Sequence, residues 1–581
     1  MEEQQVGRHS LAHILAKAVL EIYPEAQLAI GPPISDGFYY DFDVKHAFTE
    51  DEFEKIEQKM VEILKRGEDF KRVEVTREQA KEMFANQPYK LELIDGIEDD
   101  KELTVYYTGD DFYDLCRGPH VANSKQLLNY GFKIKAISGA YWKGDEKRPM
   151  LQRIYVYAFQ NRKELSDHLK LIEEAKKRDH RILGPKHDIF FIDDLAPGMP
   201  YWLPKGLKMI NILMDFWRKE HEKRGYQEIS TPLVNQTKLW EISGHIDHYR
   251  DNMFMIPDEH VNMALKPMNC PNGMIVFGRK TRSYRDLPLR LSDCDVLHRH
   301  ESSGTLHGLL RVQAFRQDDS HNFISEDQIY SEINEILNIA DLFYGIFGLQ
   351  YKPVLSTRPD DFMGDINLWN KAEAELKEIL TNRYGEGNFE VNEGDGAFYG
   401  PKIDLLMTDA LKRTWQTGTI QLDFQLPRKF DLSYTAPDGS QKTPVVVHRV
   451  IYGSIERFFG ILIEQFACEF PFWFSAEQVR VLPVNEGCNS YAKQIEQKLL
   501  ESGLRAKVIL DTDSNIGNKI KDCRLEKLPY AIIVGDVEKE AGTISVRTRS
   551  GKQIQNISLE KFIEVCLALN ASKSIELAEE F

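Results

Sequence analysis

The stretch LHRHESSGTLHGLLRVQAFRQDDSHNF, residues 297–323, carries the pattern from which the fold of the largest region follows. Arg299 and Glu301 stand two residues apart near its start, and every second side chain of a β-strand points to the same face. We therefore expect a strand that presents both side chains together. An arginine in that position can clamp a phosphate while the neighbouring carboxylate orders an amine or a water.

A second segment of this kind is HRVIYGSIERFFGILIEQ, residues 448–465. It runs from a strand-like stretch through Gly453 into an amphipathic helix that bears Arg457. The sequence has neither a P-loop nor a convincing dinucleotide-binding glycine pattern, so side chains must hold any nucleotide. Arg299 and Arg457 are therefore candidate phosphate ligands, although each taken singly is also explained as a structural arginine.

Length and composition limit the class of protein. The chain has 581 residues, a formal net charge of −17, 42% hydrophobic and 28% charged residues, which indicates a soluble globular protein. A chain of this length should form about three or four domains. The negative charge argues against indiscriminate nucleic-acid binding through the field of the whole molecule, but allows a local basic groove.

The expected location is the cytoplasm, without membrane contact. Seven scattered cysteines fit a reducing compartment, where a thiol is a ligand or a core residue. The first residues lack the pattern of a signal peptide. No window approaches the roughly 18 apolar residues that a membrane-spanning helix requires.

Four regions are expected along the chain. Residues 1–160 mix short strands, helices and turns, and residues 161–180 form a charged helical linker. Residues 181–474 are rich in aromatic residues, glycine and proline. Residues 475–581 alternate strands and helices, which predicts a compact α/β domain. The whole is a multidomain protein of α/β and α+β class.

Two residue pairs in the first region have the spacing of metal ligands. HSLAHIL contains His9 and His13, and DLCRGPH contains Cys116 and His120, each pair four residues apart. Residues 11–23 predict an amphipathic helix with one apolar stripe, on which four-residue spacing places both histidines on one face. Three imidazoles and a thiol make a plausible zinc shell. Scattered surface histidines are the alternative, since the spacing does not show that the two pairs meet.

Three motifs together resemble the signature motifs of the class II aminoacyl-tRNA synthetases. They are GYQEISTPLVNQTKLW with Pro232, LHRHE with Arg299 and Glu301, and YGSIERF with Gly453 and Arg457. The stretches KPMNCP, SYRDLPLR, DGAFYGPKIDL and TIQLDFQLP narrow the resemblance to the threonyl-tRNA synthetases. The resemblance covers nearly the whole chain.

The resemblance implies a ligase that activates L-threonine with ATP and Mg²⁺ and joins it to tRNA(Thr). It implies an editing domain at 1–160, a linker at 161–180, an antiparallel-sheet catalytic domain at 181–474 and an anticodon-binding domain at 475–581. Pro232 would lie at the interface of a homodimer. The residues that match the family's ATP and amino-acid contacts are Arg299, Glu301, Arg311, Gln317 and Arg457.

The resemblance also implies one catalytic zinc per chain. The family's zinc ligands match Cys270, His321 and His448. Three ligands leave one open position, and a zinc that takes both the amino group and the hydroxyl of threonine rejects valine. An apolar pocket alone separates such near-isosteres by only about a hundredfold. Asp319 and Tyr399 match residues that hold the hydroxyl and the amino group, and Gln416 lies in a matching pocket segment.

Zinc cannot exclude serine, which also has an amino group and a hydroxyl, so the resemblance implies a second, hydrolytic site. The residues that match the family's editing site are His9, His13, Lys90, Asp114, Cys116 and His120. We expect them to position a water on the seryl ester without a metal; a nucleophilic Cys116 and a bound metal are the alternatives. In the last domain, Glu538 and Arg547 are candidates for reading anticodon bases, unless they are only surface charges.

Three features depart from the family pattern. Members commonly begin with a small β-grasp domain ahead of the region that starts here at Met1, and this sequence lacks it, which puts the role of that domain in doubt. Asn272 and Gly273 in MNCPNG replace the glycine and histidine of MNCPGH, so any role of that histidine is lost or shifted. His300 replaces an asparagine and should have little effect, because it would point to the other side of the strand.

Two hypotheses compete with an active ligase. One is an inactive class II paralogue that serves as an RNA-binding regulator, although a binding module has no use for a complete ATP and metal site. The other is a metal hydrolase in residues 1–160 fused to a binding region. Threonine-dependent exchange of pyrophosphate with ATP distinguishes the ligase from both.

Overall fold

The computed structural model describes residues 3–45, 47–98, 101–257, 261–511 and 514–581, without the side chain of residue 248. The chain divides into two compact units, residues 1–174 and 175–581. Among the described residues, no helix combines the length and the apolar character that crossing a bilayer requires.

The first unit contains two antiparallel sheets. One has the order β1-β3-β8-β7 with β2 paired to β3, and the other has the order β4-β5-β6. The strands are β1 (Gln27–Leu28), β2 (Pro33–Ile34), β3 (Gly37–Asp43), β4 (Phe70–Glu74), β5 (Thr104–Thr108), β6 (Phe112–Leu115), β7 (Gly131–Tyr141) and β8 (Met150–Phe159). The helices are α1 (Glu3–Ile22), α2 (Phe53–Arg66), α3 (Arg77–Met83), α4 (Pro88–Asp95) and α5 (Arg162–Arg178), whose last residues belong to the second unit.

Helix α1 lies inside the core of the first unit. The helix predicted over residues 11–23 is present, as part of a helix that begins at Glu3. The prediction of a single apolar stripe is wrong, because consecutive positions from Ser10 to Val19 are buried. The sheet, α2 and the loops surround this helix, so small residues such as Ala12 and Ala16 are needed where neighbours come close.

The second unit begins with a large mixed region. Its helices are α6 (His180–Lys186), α7 (Pro204–Glu222), α8 (Thr237–Ser243), α9 (His245–Tyr249), α10 (Cys270–Gly278), α11 (Ile329–Gly345), α12 (Ile366–Tyr384), α13 (Leu426–Lys429) and α14 (Ile455–Phe466). Its strands are β9 (Phe190–Phe191), β10 (Tyr201–Trp202), β11 (Tyr226–Glu228), β12 (Val234–Gln236), β13 (Met255–Ile256), β14 (Met263–Leu265), β15 (Arg282–Ser283), β16 (Leu289–Asp293), β17 (Val296–His298), β18 (Ala314–Arg316), β19 (Asp319–Ile324), β20 (Gln350–Ser356), β21 (Glu390–Asn392), β22 (Lys402–Thr408), β23 (Thr414–Asp423), β24 (Tyr434–Thr435), β25 (Gln441–Lys442) and β26 (Val445–Val450).

An eight-stranded sheet forms the centre of this region, with the order β11-β16-β19-β26-β23-β22-β20-β21. All its neighbouring pairs are antiparallel except the two outermost, β11 with β16 and β20 with β21. Residues of α7, α11, α12 and α14 share one hydrophobic core with the sheet. The antiparallel catalytic sheet expected from the sequence is confirmed.

The last region is the predicted α/β domain, with the sheet order β28-β27-β29-β30-β31. Its elements are β27 (Val479–Pro483), α15 (Asn489–Glu501), β28 (Ala506–Val508), α16 (Ile516–Leu525), β29 (Tyr530–Val534), α17 (Asp536–Ala541), β30 (Ile544–Thr548), β31 (Gln553–Ile557) and α18 (Leu559–Ser572). Three of these, α17, β31 and α18, were not predicted. Strand β27 pairs in parallel with β28 and β29, and the remaining pairs are antiparallel.

The segment 297–323 corrects one expectation. Strand β17 ends at His298, so Arg299 and Glu301 lie beyond the strand that was predicted to carry them. The turn-forming residues Ser302–Thr305 follow at once and favour a loop over further pairing. Both side chains still line one cavity. The loop after β17, and not the pleat of a strand, positions them there.

Candidate active sites

The two arginine segments meet at one cavity of about 290 Å³ in the second unit. The loop after β17 and strand β18 form one wall, and β23 and the start of α14 form the other. The predicted side chains that line it are Arg299, Glu301, Arg311, Gln317, Gln416 and Arg457. The tertiary structure therefore brings six of the predicted site residues to one place.

The chain before α14 explains the position of Arg457. Gly453 has φ +75°, and a Cβ there would lie 2.3 Å from the carbonyl oxygen of Thr417, so this close strand approach needs glycine. Ser454 caps the helix by accepting a hydrogen bond from the backbone N–H of Arg457, at 3.2 Å. Arg457 Nε then donates to the Leu310 carbonyl at 2.9 Å, which aims the guanidinium at the cavity.

Positive charge accumulates in this cavity. Burial lowers the pKa of Arg457, and the like charges of Arg311 and Arg299 lower it further. Arg311 donates to the Glu301 carboxylate at 2.8 Å, whereas Arg299 donates to the Pro267 carbonyl at 3.1 Å and pairs with no carboxylate among the described residues. Such a set favours an anion, and arginine is suited to the fixed geometry of phosphate oxygens.

A second cluster brings together Cys270, His321 and His448. His321 on β19 and His448 on β26 are directly opposite each other in the sheet, and Cys270 is the first residue of α10. One ligand atom from each lies within 4.8 Å of the others, and all three side chains are buried. One thiol and two imidazoles fit a zinc ion that keeps a position for substrate.

The surroundings of the cluster support the fit to zinc. Asp423 Oδ2 lies 2.8 Å from His448 Nε2, so that hydrogen bond leaves the other ring nitrogen free to ligate. A carboxylate behind a ligating histidine is the usual second contact in zinc sites. Sequence reasoning missed Asp423, although an acidic residue inside the apolar run TIQLDF was a signal for it.

Two of the predicted substrate residues, Asp319 and Tyr399, lie beside this cluster. Asp319 Oδ2 lies 4.0 Å from His321 Nε2 and accepts a hydrogen bond from Asn269 at 3.2 Å. Burial, followed by the charge of Asp293, raises the pKa of Asp319 to about 8. The Tyr399 ring lies 5.5 Å from that of His448.

Gln416 stands on the arginine side instead. Its side-chain amide donates to Asp404 at 2.5 Å, and its backbone carbonyl accepts from Arg457 at 3.4 Å. Arg299 is close enough to Cys270 and Tyr399 for its charge to act on both groups. The arginine cavity and the thiol–imidazole cluster are therefore adjoining parts of one site.

The departures from the family pattern are visible beside the cluster. Asn272 is buried, and its Nδ2 has no hydrogen-bond partner among the described residues. Gly273 packs against the His321 ring: a Cβ placed on Gly273 would lie 3.4 Å from the ring atoms of His321. His245, which sequence reasoning did not single out, places Nε2 3.7 Å from Cys270 Sγ. His300 is exposed and packs near Phe254, away from the cavity.

The two sequence pairs of the first unit also come together. Cys116 Sγ lies 3.2 Å from His9 Nε2 and 3.1 Å from His120 Nε2, and the His13 and His120 rings are 4.2 Å apart. His9 and His13 project from one face of α1, whereas Cys116 and His120 follow β6. Ser10 Oγ, one helix position after His9, lies 3.1 Å from His120 Nδ1 and fixes that ring.

The charged neighbours of this histidine cluster are Lys90 and Asp114. Lys90 Nζ lies 2.5 Å from Asp114 Oδ1, and Tyr40 donates to Asp114 Oδ2 at 2.5 Å. Burial lowers the pKa of His13 and His120 well below the ordinary range and raises that of the Cys116 thiol to about 12. At neutral pH the three imidazoles and the thiol of the cluster are therefore uncharged.

The two anticodon candidates differ in their surroundings. The Glu538 carboxylate accepts from Ser545 Oγ at 2.7 Å and from the backbone N–H of Gly535 at 2.9 Å, which caps α17. Arg547 lies on β30, between Ala531 of β29 and Gln553 of β31. The Glu538 carboxylate thus caps a helix, and the Arg547 side chain is the less constrained of the two.

Comparison with known proteins places these sites in a family. The tRNA synthetase class II core domain (G, H, P, S and T) matches residues 254–466, and an anticodon binding domain matches residues 478–569. The second additional domain of threonyl and alanyl tRNA synthetases matches residues 103–155. A threonine–tRNA ligase of Thermotoga petrophila is 48% identical over 100% of this chain and 90% of its own. The chain belongs to the threonine–tRNA ligase family.

Other threonine–tRNA ligases agree with this result. The one from Syntrophomonas wolfei is 47% identical over 96% of this chain and 87% of its own. A crystal structure described as the RNA binding domain of threonyl-tRNA synthetase from Cryptosporidium parvum is 39% identical, with a TM-score of 0.65, over 69% of this chain and 100% of that chain. The predicted family, enzyme class and fold class are confirmed.

Proposed function

We propose that this chain activates L-threonine with ATP to threonyl-adenylate and transfers the threonyl group to the 3′ end of tRNA(Thr). The observation that carries the proposal is that a cavity lined by three arginines adjoins a buried cluster of one thiol and two imidazoles. The first suits a triphosphate, and the second suits a metal that selects an amino acid. Neither feature alone requires a ligase.

In the proposed first step, a carboxylate oxygen of threonine attacks the α-phosphorus of ATP. The bond from that phosphorus to the bridging oxygen breaks, and pyrophosphate leaves with the electron pair. Arg299 and Arg457 bind the phosphates, which arrive as their Mg²⁺ complex, and neutralise the charge that develops on them. The protein supplies placement and electrostatics and takes part in no covalent bond.

Cys270, His321 and His448 would hold zinc, which would supply a Lewis acid for the amino group and the hydroxyl of threonine. Asp319 stands beside His321, where it can accept the hydrogen bond of that hydroxyl. Tyr399 stands beside His448, on the side proposed for the amino group. Valine offers no hydroxyl and would leave Asp319 buried without its partner, which is costly.

Threonine-dependent exchange of labelled pyrophosphate into ATP tests this function. We expect exchange with threonine, weaker exchange with serine and almost none with valine. An RNA-binding regulator or a metal hydrolase fused to a binding region would show no amino-acid-dependent exchange, so a blank result with zinc-loaded protein would overturn the proposal.

Asp319→Ala should damage threonine recognition selectively. We expect KM for threonine to rise at least tenfold, about 1.4 kcal/mol, because the hydrogen-bond acceptor for the threonine hydroxyl is lost. KM for ATP should change less than threefold, and the preference for threonine over valine should fall. Exchange kinetics with both amino acids measure this.

The surface variant Asp327→Ala is the control for the Asp319 experiment, since Asp327 is exposed. It should leave both KM values and the selectivity unchanged. If Asp319→Ala kept the native preference for threonine over valine, Asp319 would not contact the side chain of the substrate.

For the first unit we propose hydrolysis of Ser-tRNA(Thr). The neutral cluster of His9, His13, Cys116 and His120 can orient a water on the seryl ester, and the Lys90–Asp114 pair can fix the ester end of the tRNA. A protonated Cys116 is a poor nucleophile, which supports the positioned water over a covalent intermediate. Threonine would be left out because its extra methyl clashes.

His13→Ala should abolish editing and spare synthesis. We expect deacylation of Ser-tRNA(Thr) to fall at least about a hundredfold, because general acid–base positioning contributes 10² to 10⁴. Threonylation should stay within twofold. Deacylation of purified Ser-tRNA(Thr) measures the first effect, and threonylation of tRNA(Thr) measures the second. The metal content of the same protein samples is measured as well.

A matched control for His13 is His168→Ala, since His168 lies in the same unit beside Tyr157 and Phe159. It should keep deacylation. Metal analysis should find one zinc per chain in both variants and in the unaltered protein. Two zinc ions in the unaltered protein, with the second lost in His13→Ala, would instead make the histidine cluster a metal site.

Further proposals concern assembly and tRNA. We propose a cytoplasmic homodimer with Pro232 at the interface, and tRNA(Thr) as the partner of residues 475–581. Arg547 is the stronger candidate for an anticodon contact, because the Glu538 carboxylate already caps α17. We propose the domain limits 1–160, 161–180, 181–474 and 475–581, since α5 spans most of the second segment.

A further inference from the structure

A larger cavity, of about 810 Å³, lies elsewhere in the second unit. It shares no lining residue with the arginine cavity. The cavity is bordered by helices α7, α11 and α18 and by the chain around Trp473 and Arg505. Its volume falls within the range of about 300–1,000 Å³ that is typical of small-molecule sites.

The cavity has an apolar wall and a cationic wall. Side chains from α7 and α11 supply the apolar wall: Ile212, Phe216, Leu342 and Ile346. The cationic wall consists of Lys219 on α7, Arg505 before β28 and Lys573 after α18. Sites that bind an anion with an apolar body combine these two kinds of surface.

The three cations lack carboxylate partners within the described parts of the chain. Arg505 donates to the carbonyls of Ser475 and Trp473, at 2.9 and 2.6 Å, and Lys573 donates to the Asn570 carbonyl at 2.6 Å. These hydrogen bonds fix the positions of two cations without neutralising their charge. Lys573 Nζ also lies 5.1 Å from the centre of the Trp473 ring.

Three acidic residues, Asp215, Glu220 and Glu222, also line the cavity, and Asp215 lies 3.7 Å from Arg218. The cations act on one another. Burial lowers the pKa of Lys573, and the charges of Lys219 and Arg505 lower it further, with only partial compensation from Glu220. Glu220 itself is held by Lys223 and Arg224, at 2.5 and 2.8 Å. Four cationic and three acidic residues line the cavity, so its lining keeps a small excess of positive charge, concentrated where Lys219, Arg505 and Lys573 meet.

We propose that this cavity binds a phosphate ester of about mononucleotide size, with the phosphate between Lys219, Arg505 and Lys573 and the uncharged part against Ile212, Phe216, Leu342 and Ile346. Such an ester reaches the protein either as a free nucleotide or as part of a bound RNA strand, and the phosphate contacts are the same in both cases. Because the site joins α7 and α11 to the last domain, its occupant would bridge the two regions.

Counting AMP sites by equilibrium dialysis tests the proposal. The intact protein should bind two AMP per chain, and a non-hydrolysable threonyl-adenylate analogue should remove one. The double variant Lys219→Gln/Lys573→Gln should weaken the remaining site at least about tenfold, because two charges without carboxylate partners are lost. Affinity of this site should also fall as salt rises from 0.05 to about 0.5 M.

Two further variants separate charge from folding. Lys219→Glu changes only an exposed helix position and should also abolish the second site. Lys223→Gln is the matched control: Lys223 lines the same cavity, but Glu220 holds its ammonium, so AMP affinity should change less than threefold. Circular dichroism should show native folding in all variants.

Competition with tRNA(Thr) identifies the source of the phosphate. If tRNA displaces the second AMP and binds more weakly to the double variant, the site holds an RNA phosphate; if tRNA leaves AMP bound, it holds a free nucleotide. Absence of a second AMP site once the adenylate analogue is bound would overturn the proposal, as would unchanged affinity in both Lys219→Glu and the double variant.

Discussion

Cys270→Ala should strip the zinc from the protein and reduce threonine-dependent pyrophosphate exchange to background. The Cys270 thiolate is one of the three proposed protein ligands, and two imidazoles alone would hold zinc far more weakly than three ligands do. Without the metal, the amino acid loses the group proposed to bind its amine and hydroxyl. Atomic absorption of dialysed protein and the exchange assay measure the two losses in one sample.

The fold should survive this change, because Cys270 occupies one edge of a small satellite core and the main sheet has its own core. Thermal melting followed by circular dichroism checks this. Cys488→Ala is the matched control, since Cys488 is also a buried free cysteine but lies in the last domain. It should keep zinc and exchange activity. Full zinc content together with normal exchange in Cys270→Ala would show that Cys270 is not a ligand.

Arg457→Ala should lower kcat for adenylate formation at least about a hundredfold, the effect typical of removing one preorganised donor from a developing charge. Burial and the two neighbouring arginines already lower the pKa of Arg457, so its charge is poorly screened and acts strongly on a bound phosphate. Affinity for threonine should change little, because the thiol–imidazole cluster is intact. Exchange kinetics at varied ATP and threonine separate these effects.

Arg457→Lys should recover only part of the lost activity. Lysine keeps the charge, but it lacks the fork that can donate to the Leu310 carbonyl and to a phosphate at the same time. Arg279→Ala, at an exposed position after α10, serves as the control and should behave as the unaltered protein. Equal kcat for Arg457→Ala and the control would exclude Arg457 from phosphate binding.

Local sequence patterns predicted several elements correctly because their causes are local. The strand, glycine and helix around Gly453 follow from an apolar run, a residue that tolerates positive φ and a Ser454 cap. The alternation of strands and helices in residues 475–581 gave most of the α/β domain for the same reason. The pattern failed for two elements. Helix α1 is buried along its length because other elements surround it, and β17 ends before Arg299 because turn-forming residues follow.

By itself, the sequence determined which residues have the chemistry for each site, and the long motifs determined the family. Only the tertiary structure decided which of them meet. His321 and His448 become neighbours through the register of β19 and β26, and Cys116 reaches His9 because β6 ends beside α1. It also decided that Glu538 caps a helix and that Lys219, Arg505 and Lys573 share a cavity. Strand register and domain packing depend on contacts between residues far apart in the chain, which no local pattern encodes.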